Sequence, residues 1–387
     1  MVKLIFAFAF SLILFSCNSS SDLITSQTKE VQFELLDSLV VETLSELYLV
    51  GKQEESGRYL FKDKFVNDIL LTDSKGKIIA NPKLKGEGPD QVAQPWDLAF
   101  AGNEIVVKEF SPEMRIHFFD PSFKKRSVSD PLAAGMNSLE IAPQRNVISS
   151  LSYRGKNLVA GSDANAILPE LMGESQKNVG FYTKAQGGFV LDANSGKISK
   201  LNLYPDSWQP KKEGEWVGPA YPFLAASSKS NLIAVLPRIG DQLFFFQLEN
   251  NELVPKGETL INHPDRKRGL RFNLEDEPLL YPSFFDLKAG GSLFLVHFYT
   301  EVPRESYLTM KAQGKATTKN PEYVDLLKEN RKSKYILADG KGNQAPISTL
   351  PLEGQIHFMD SDDVIYIKPD SKKERDYNVF YRYKVKL

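Results

Sequence analysis

The sequence predicts an all-β fold, a β-propeller of about six blades with one short helical insertion. From residue 31 onward, short apolar or aromatic runs alternate with turn residues, and hardly any stretch keeps a helical period. One three-strand pattern also recurs every 40 to 60 residues or so, a spacing typical of propeller blades. A β-sandwich, or two stacked β domains, would show comparable turns, so these alternatives stay open.

The clearest repeat runs from residue 95 to residue 120, as WDLAF, EIVVKEF and RIHFFD separated by two short turns. Similar triplets return later in the chain, and a weaker one begins at residue 281. Because only a closed ring leaves no long exposed edge, we expect a strand near residues 31–36 to pair with the last blade. The predicted blades span residues 31–88, 89–135, 136–214, 215–277, 278–352 and 353–387.

The first residues read as an export leader, with Lys3 as a basic start, an apolar run from Leu4 to Phe15, and the chain's single cysteine, Cys17. The apolar run is too short for a bilayer, which needs about 20 residues. The tetrad ending at Cys17 resembles the lipobox of bacterial lipoproteins, which implies cleavage before Cys17 and a lipid on its thiol. An ordinary secretory leader with an incidental cysteine is the alternative.

This interpretation divides the chain into a signal peptide (1–16), a flexible tether (17–30) and a single propeller domain (31–387), with the helical insertion at about 303–334. The tether is polar and built of small residues, as expected for a segment that lifts a domain off a lipid surface.

The stretch KGEGPDQ at residues 85–91, followed by Trp96-Asp97-Leu98 and the strand EIVVKEF, resembles a junction in six-bladed β-propeller lipoproteins of Bacteroidetes. That resemblance implies the fold and a place in the cell envelope. The family has no assigned activity, so none is carried over. Asn18 differs from the Asp that, by resemblance to proteobacterial lipoproteins, would retain the protein at the inner membrane. We therefore expect an outer-membrane anchor, on either the periplasmic or the cell-surface side.

Composition narrows the function classes. The chain is 42% hydrophobic and 25% charged with a formal net charge of −1, which suits a globular protein and gives no sign of nucleic-acid binding. No Gly-x-Ser-x-Gly or His-Glu-x-x-His motif occurs. The four histidines fall in different repeats, so we predict neither a metal site nor another cofactor. We expect a monomer.

Three long loops, at residues 204–221, 262–282 and 303–334, stand out from the strand pattern. The third holds the one predicted helix, Pro321 to Asn330, as a lid, a partner site or a passive decoration. The first carries aromatic residues suited to stacking on a sugar or gripping a partner, unless they cap the ends of neighbouring blades. The candidate binding residues in it are Tyr204, Trp208, Trp216 and Tyr221.

These features favour a lipid-anchored, non-catalytic binding or scaffolding protein whose long loops recognise a glycan, a peptide or a protein partner. The alternative is an envelope hydrolase or lyase that works in the axial channel of the propeller. Its candidate channel-facing residues, placed on or near inner strands, are Trp96, Asp97, Asp286 and His357. A sensor subunit for a membrane partner is a third hypothesis.

Overall fold

The computed structural model describes residues 30–65, 68–133, 135–136, 142, 145–173, 177–266, 276–370 and 375–387. Its strands form six antiparallel sheets of four strands each, arranged as a ring. The prediction of a six-bladed β-propeller is therefore confirmed.

Strand β1 (Gln32–Glu42) belongs to the last blade, and blade 1 begins with the second strand. Blade 1 contains β2 (Leu47–Lys52), β3 (Tyr59–Asp63), β4 (Ile69–Thr72) and β5 (Ile78–Ala80). Blade 2 contains β6 (Pro95–Ala101), β7 (Glu104–Glu109), β8 (Ile116–Phe119) and β9 (Lys125–Val128). Blade 3 contains β10 (Ile148–Tyr153), β11 (Lys156–Ser162), β12 (Gly188–Asp192) and β13 (Ile198–Leu201). Blade 4 contains β14 (Phe223–Ala226), β15 (Leu232–Leu236), β16 (Gln242–Glu249) and β17 (Glu252–Leu260). Blade 5 contains β18 (Ser283–Ala289), β19 (Leu293–Tyr299), β20 (Ser333–Asp339) and β21 (Gln344–Ile347). Blade 6 contains β22 (Gly354–Met359), β23 (Val364–Pro369), β24 (Tyr377–Lys386) and β1.

The ring closes through strands from the two ends of the chain. Strand β1 pairs antiparallel with β24, from Gln32 opposite Lys386 to Glu42 opposite Tyr377. The first strands of the blades contact one another in the order β2, β6, β10, β14, β18, β22 and back to β2, so these six are the inner strands. The expected pairing of an early strand with the last blade is thus present, and it removes the open edge that a linear row of blades would leave.

All inner strands run in the same direction, which gives the ring two distinct faces. We call the face where the inner strands begin the front face, and the face where they end the back face. Because neighbouring strands are antiparallel, the connections between blades, and those between second and third strands, lie on the front face. All three long loops predicted from the sequence are connections of these two kinds.

The inner strands of four blades each contain a β-bulge. The extra residues are Val50, Trp96, Phe285 and His357, in blades 1, 2, 5 and 6. A bulge leaves one residue without a partner in the strand pairing and changes the direction in which its side chain points. Between the blades, apolar side chains of adjacent sheets form a nearly continuous core around the ring.

Within the described residues, four short α-helices lie in loops: α1 (Gly180–Lys184), α2 (Gln209–Glu213), α3 (Arg304–Ala312) and α4 (Pro321–Asn330). Helix α4 has the predicted bounds, since Pro321 suits its first turn and the Asn320 side chain accepts the Glu322 N–H. Helix α3 was not predicted. It packs on α4 through Tyr307 and Tyr323, both largely buried. In the described part of the chain, no helix has both the length and the apolar composition needed to cross a bilayer.

A candidate ligand-binding site on the front face

A cavity of about 320 Å³ lies on the front face between blades 4 and 5. We call it the front pocket. This volume is at the lower end of the range for small-molecule sites, about 300–1,000 Å³. Five segments form it: the two residues 220–221 before β14, the loop between β15 and β16, Arg266 after β17, the stretch 278–285 that leads into β18, and the residue that follows α4. The residues that give the pocket its chemistry are Tyr221, Arg238, Asp241, Arg266, Tyr281, Phe284, Phe285 and Arg331.

Charge is the distinctive property of the front pocket, because three arginines and one aspartate line it. Arg266 forms an ion pair with Asp241, with 3.0 Å between Nη2 and Oδ1. Its guanidinium also donates to two backbone carbonyl oxygens and lies 4.1 Å from the centre of the Phe284 ring. Burial lowers the pKa of Arg266, and Asp241 opposes that shift. Arg266 is therefore a fixed, neutralised part of the wall.

Arg331 is held differently. Its Nη2 donates to the Ser283 hydroxyl at 3.2 Å, and its guanidinium lies 4.9 Å from the centre of the Tyr299 ring. No carboxylate among the described residues lies within 4.0 Å of it, and its buried Nη1 has no hydrogen-bond partner there. Burial lowers its pKa, but an arginine remains charged at neutral pH. Arg331 thus brings the pocket a positive charge that no described carboxylate neutralises.

A smaller cavity of about 60 Å³ adjoins the front pocket and shares Tyr221 and Arg238 with it. Its floor is an ion-pair cluster in which Lys108 Nζ lies 3.0 Å from Asp97 and 2.6 Å from Asp163. Burial disfavours the charge on Lys108, but the two aspartates outweigh it and raise its pKa. One lysine and two aspartates give this cluster a net charge of −1, and each of the three is engaged by another member of the cluster, which suits a structural role.

Two residues of the predicted aromatic loop, Tyr204 and Trp208, are buried and do not face a ligand as the sequence analysis expected. Trp208 is fully buried and Tyr204 almost so, and the Trp208 Nε1–H donates to the Ile239 carbonyl oxygen at 3.1 Å. Their rings pack on Tyr182, at centroid distances of 4.9 and 5.2 Å. These two rings are core and offer no free face to a ligand, because the loop containing Tyr182 covers them.

The other two residues of that loop remain closer to the surface. Trp216 is half-buried and stacks on Tyr182 with 5.2 Å between ring centroids. Tyr221 is also half-buried, and it lines both front-face cavities. Of the four predicted binding residues, only Tyr221 lines the front pocket.

The four channel-facing candidates do not come together. Trp96 and Asp97 line the small front-face cavity, whereas His357 lines a separate cavity at the back. Asp286 pairs with Lys288 at 2.5 Å. His357 packs against Tyr48, and burial holds its pKa well below the usual value.

The back cavity, of about 100 Å³, is lined by residues of all six inner strands and lies where those strands end. Polar contacts cross the ring there. Glu54 of blade 1 accepts a hydrogen bond from Ser228 of blade 4, which lies diametrically opposite, at 2.5 Å. Lys52 pairs with Asp360 at 2.6 Å, and Lys229 pairs with Asp362. We call this group the back plug: Lys52, Glu54, Ser228, Lys229, Asp360 and Asp362.

Two predicted features fall wholly or partly beyond the described residues. Cys17 lies outside them, as do residues 267–275 of the predicted long loop at residues 262–282. Among the side chains that are described, no group of three or more His, Cys, Asp or Glu is placed to hold a metal ion.

No protein-family model and no curated protein sequence matches the chain. Among solved structures, the chain is similar to a member of the DUF4221 family from Bacteroides vulgatus, with a TM-score of 0.64 and 13% identity over 93% of this chain and 99% of that one. A Bacteroides fragilis protein has a TM-score of 0.48 at 11% identity, covering 92% and 96% of the two chains, and we base no argument on it. The Bacteroides vulgatus structure shares the fold that the sequence resemblance implied.

Proposed function

We propose that the protein is a non-catalytic binding protein of the cell envelope, anchored by a lipid on Cys17, whose front pocket recognises a glycan, a peptide or a protein. The observation that carries the proposal is the front pocket itself, which combines aromatic rings with three arginines and one aspartate. A site for a ligand is expected to be largely apolar with a few placed polar groups, and this pocket fits that description.

The position of the pocket supports the proposal. One of its walls is the start of the inner strand β18, and another directly precedes the inner strand β14. The closed ring holds these strands rigidly, and precise recognition needs such support. A third wall is Arg331, directly after α4, which gives the helical insertion a role in recognition. The enzyme hypothesis has less support, since its candidate residues line different cavities and Asp97 is engaged by Lys108.

The proposal can be tested by replacing residues 303–331, which include Arg331, with a short Gly-Ser turn. Strands β19 and β20 pair up to Tyr299 opposite Ser333, so a hairpin can close there without the two helices. We expect the variant to remain a folded propeller and to lose binding in a panel of glycans and peptides. A Ser228→Ala variant on the back face is the control and should bind like the parent protein. Unchanged binding without the insertion would contradict the proposal.

The anchor is tested independently. A Cys17→Ser variant expressed in a bacterial host should move from the detergent phase to the aqueous phase on Triton X-114 partitioning, because the lipid supplies the hydrophobic attachment. If the variant stays in the detergent phase, the lipid is not on Cys17.

A further inference from the structure

We infer that the front pocket takes a small monocarboxylate attached to a six-membered ring. The inference rests on the proposed function and specifies the class of ligand. The shared chemistry is a ring that can pack on aromatic side chains and one carboxylate that can reach a guanidinium. A sugar acid and an aromatic acid both have this chemistry.

The negative charge of the ligand follows from the lining of the pocket. Arg266 is paired with Asp241, whereas Arg331 has no carboxylate within 4.0 Å among the described residues. A neutral ligand would leave the charge of Arg331 without a partner as it displaced water from the pocket. Leaving a buried charge unpaired is costly, whereas a carboxylate beside an arginine forms strong, charge-assisted hydrogen bonds.

Arg331 is the residue we assign to the carboxylate. Ser283 holds its Nη2 through a single hydrogen bond, and its buried Nη1 has no partner in the described part of the chain. An arginine that lines a pocket with an unused donor can improve its hydrogen bonding by turning towards a carboxylate. The planar fork of a guanidinium matches the geometry of a carboxylate, which it can bind through two parallel N–H···O bonds.

The ring of the ligand follows from the aromatic lining. Phe285 is held edge-on by His297 and Tyr299, each with 5.1 Å between ring centroids, so its position is fixed before any ligand arrives. Tyr221 and Tyr281 provide two more aromatic side chains on the lining. Aromatic surfaces that are already ordered bind a ring at little entropic cost. A volume of about 320 Å³ has room for one such ring with its substituents.

The experiment is isothermal titration calorimetry with two matched pairs, galacturonate against galactose and benzoate against benzyl alcohol. We expect at least one acid to bind at least tenfold more tightly than its neutral partner, and the pair that responds identifies the kind of ring. Arg331→Gln should abolish that preference. Lys328→Gln is the matched control, because it removes one positive charge from the exposed side of the same insertion, and it should leave the preference unchanged.

Three results would overturn the inference: equal affinity for acid and neutral members, an acid preference that survives Arg331→Gln, or no binding of either acid at millimolar concentration. In each case the proposed function would stand if the insertion-deleted protein still lost its panel ligands. Circular dichroism checks the fold of Arg331→Gln. If that variant unfolds, Arg331→Lys decides, since it should keep a reduced acid preference by retaining the charge without the planar fork.

Discussion

The two faces of the ring differ in whether their charged side chains have oppositely charged partners. On the back face, Lys52, Lys229 and two aspartates pair with one another across the ring, so each charge meets an opposite one within the protein. On the front face, Arg331 lines a cavity without any carboxylate partner among the described residues. The same six inner strands run between these faces. The comparison teaches that the front face leaves the charge of Arg331 without a carboxylate partner in the part of the chain that the structure describes, whereas the back face uses its charges to hold blades together.

Loop length explains the difference. At the back, residues 360–363 make the whole connection between β22 and β23, and Asp360 accepts the N–H groups of Asp362 and Val364 at 2.9 and 3.1 Å. Such a short turn fixes its carboxylates, which can then meet lysines of neighbouring blades. The front connections are long enough to form helices and aromatic clusters of their own.

Trp208→Ala should have the largest effect on stability. The indole is fully buried in the aromatic cluster of the front loops, and replacing such a residue by alanine costs about 3–5 kcal/mol of unfolding free energy. Urea denaturation measures the change. Trp216→Ala is the control and should cost less, because its ring is only half-buried. Equal losses for the two variants would mean that the front loops are not anchored by Trp208.

Asp97→Asn should have the next largest effect. Removing one member of a buried ion pair costs about 3–5 kcal/mol, and we expect about 3 kcal/mol because Lys108 keeps Asp163. Urea denaturation again provides the measurement. The same variant bears on the enzyme hypothesis, since a turnover that disappears with Asp97 while the fold persists would favour catalysis over binding.

Acid should destabilise the protein through its buried histidines, of which His297 in blade 5 is the measurable case, while Asp362 of the back plug stays ionised. Burial, with a smaller contribution from Lys288, lowers the pKa of His297 to about 3. Below its ordinary pKa of about 6.5, the unfolded chain binds a proton that the folded protein does not, so stability falls as pH decreases. Between pH 7 and pH 5 the loss should be about 2 kcal/mol from this residue.

Thermal unfolding at the two pH values measures that loss, and His297→Phe should reduce it. The hydrogen bond from Lys229 lowers the pKa of Asp362 in the plug, so this aspartate stays ionised throughout the same range. A pH dependence that is unchanged in His297→Phe would show that another group is responsible.

Glu54→Gln should have the smallest effect. Glu54 is exposed and meets Ser228 at the surface, and exposed polar contacts of this kind contribute about 0.5 kcal/mol. Urea denaturation at low salt should detect the change. A loss of several kcal/mol would mean that the back plug is essential to ring closure, and the contrast between the faces would then need a different explanation.

The fold was largely predictable because the sequence patterns that indicate strands, turns and helix starts involve residues close together in the chain. Alternating apolar runs and turns predicted the blades, and the proline at residue 321 predicted where α4 begins. The pocket was not predictable, because Arg238, Arg266 and Arg331 come from three separate segments and look like ordinary surface residues in the sequence. Trp208 was misassigned for a related reason. Its burial depends on Tyr182, which lies in a loop whose sequence gave no strand or helix pattern.

The closing strand also determines at which face the chain enters the ring. Strand β1 is the outermost strand of blade 6, and its first residue, Gln32, lies opposite Lys386 where β24 reaches the back face. The chain therefore enters β1 at the back face. If the predicted lipid on Cys17 attaches this end of the chain to a membrane, the ring is joined to its anchor at the back face, and the arginine-lined cavity opens on the opposite face.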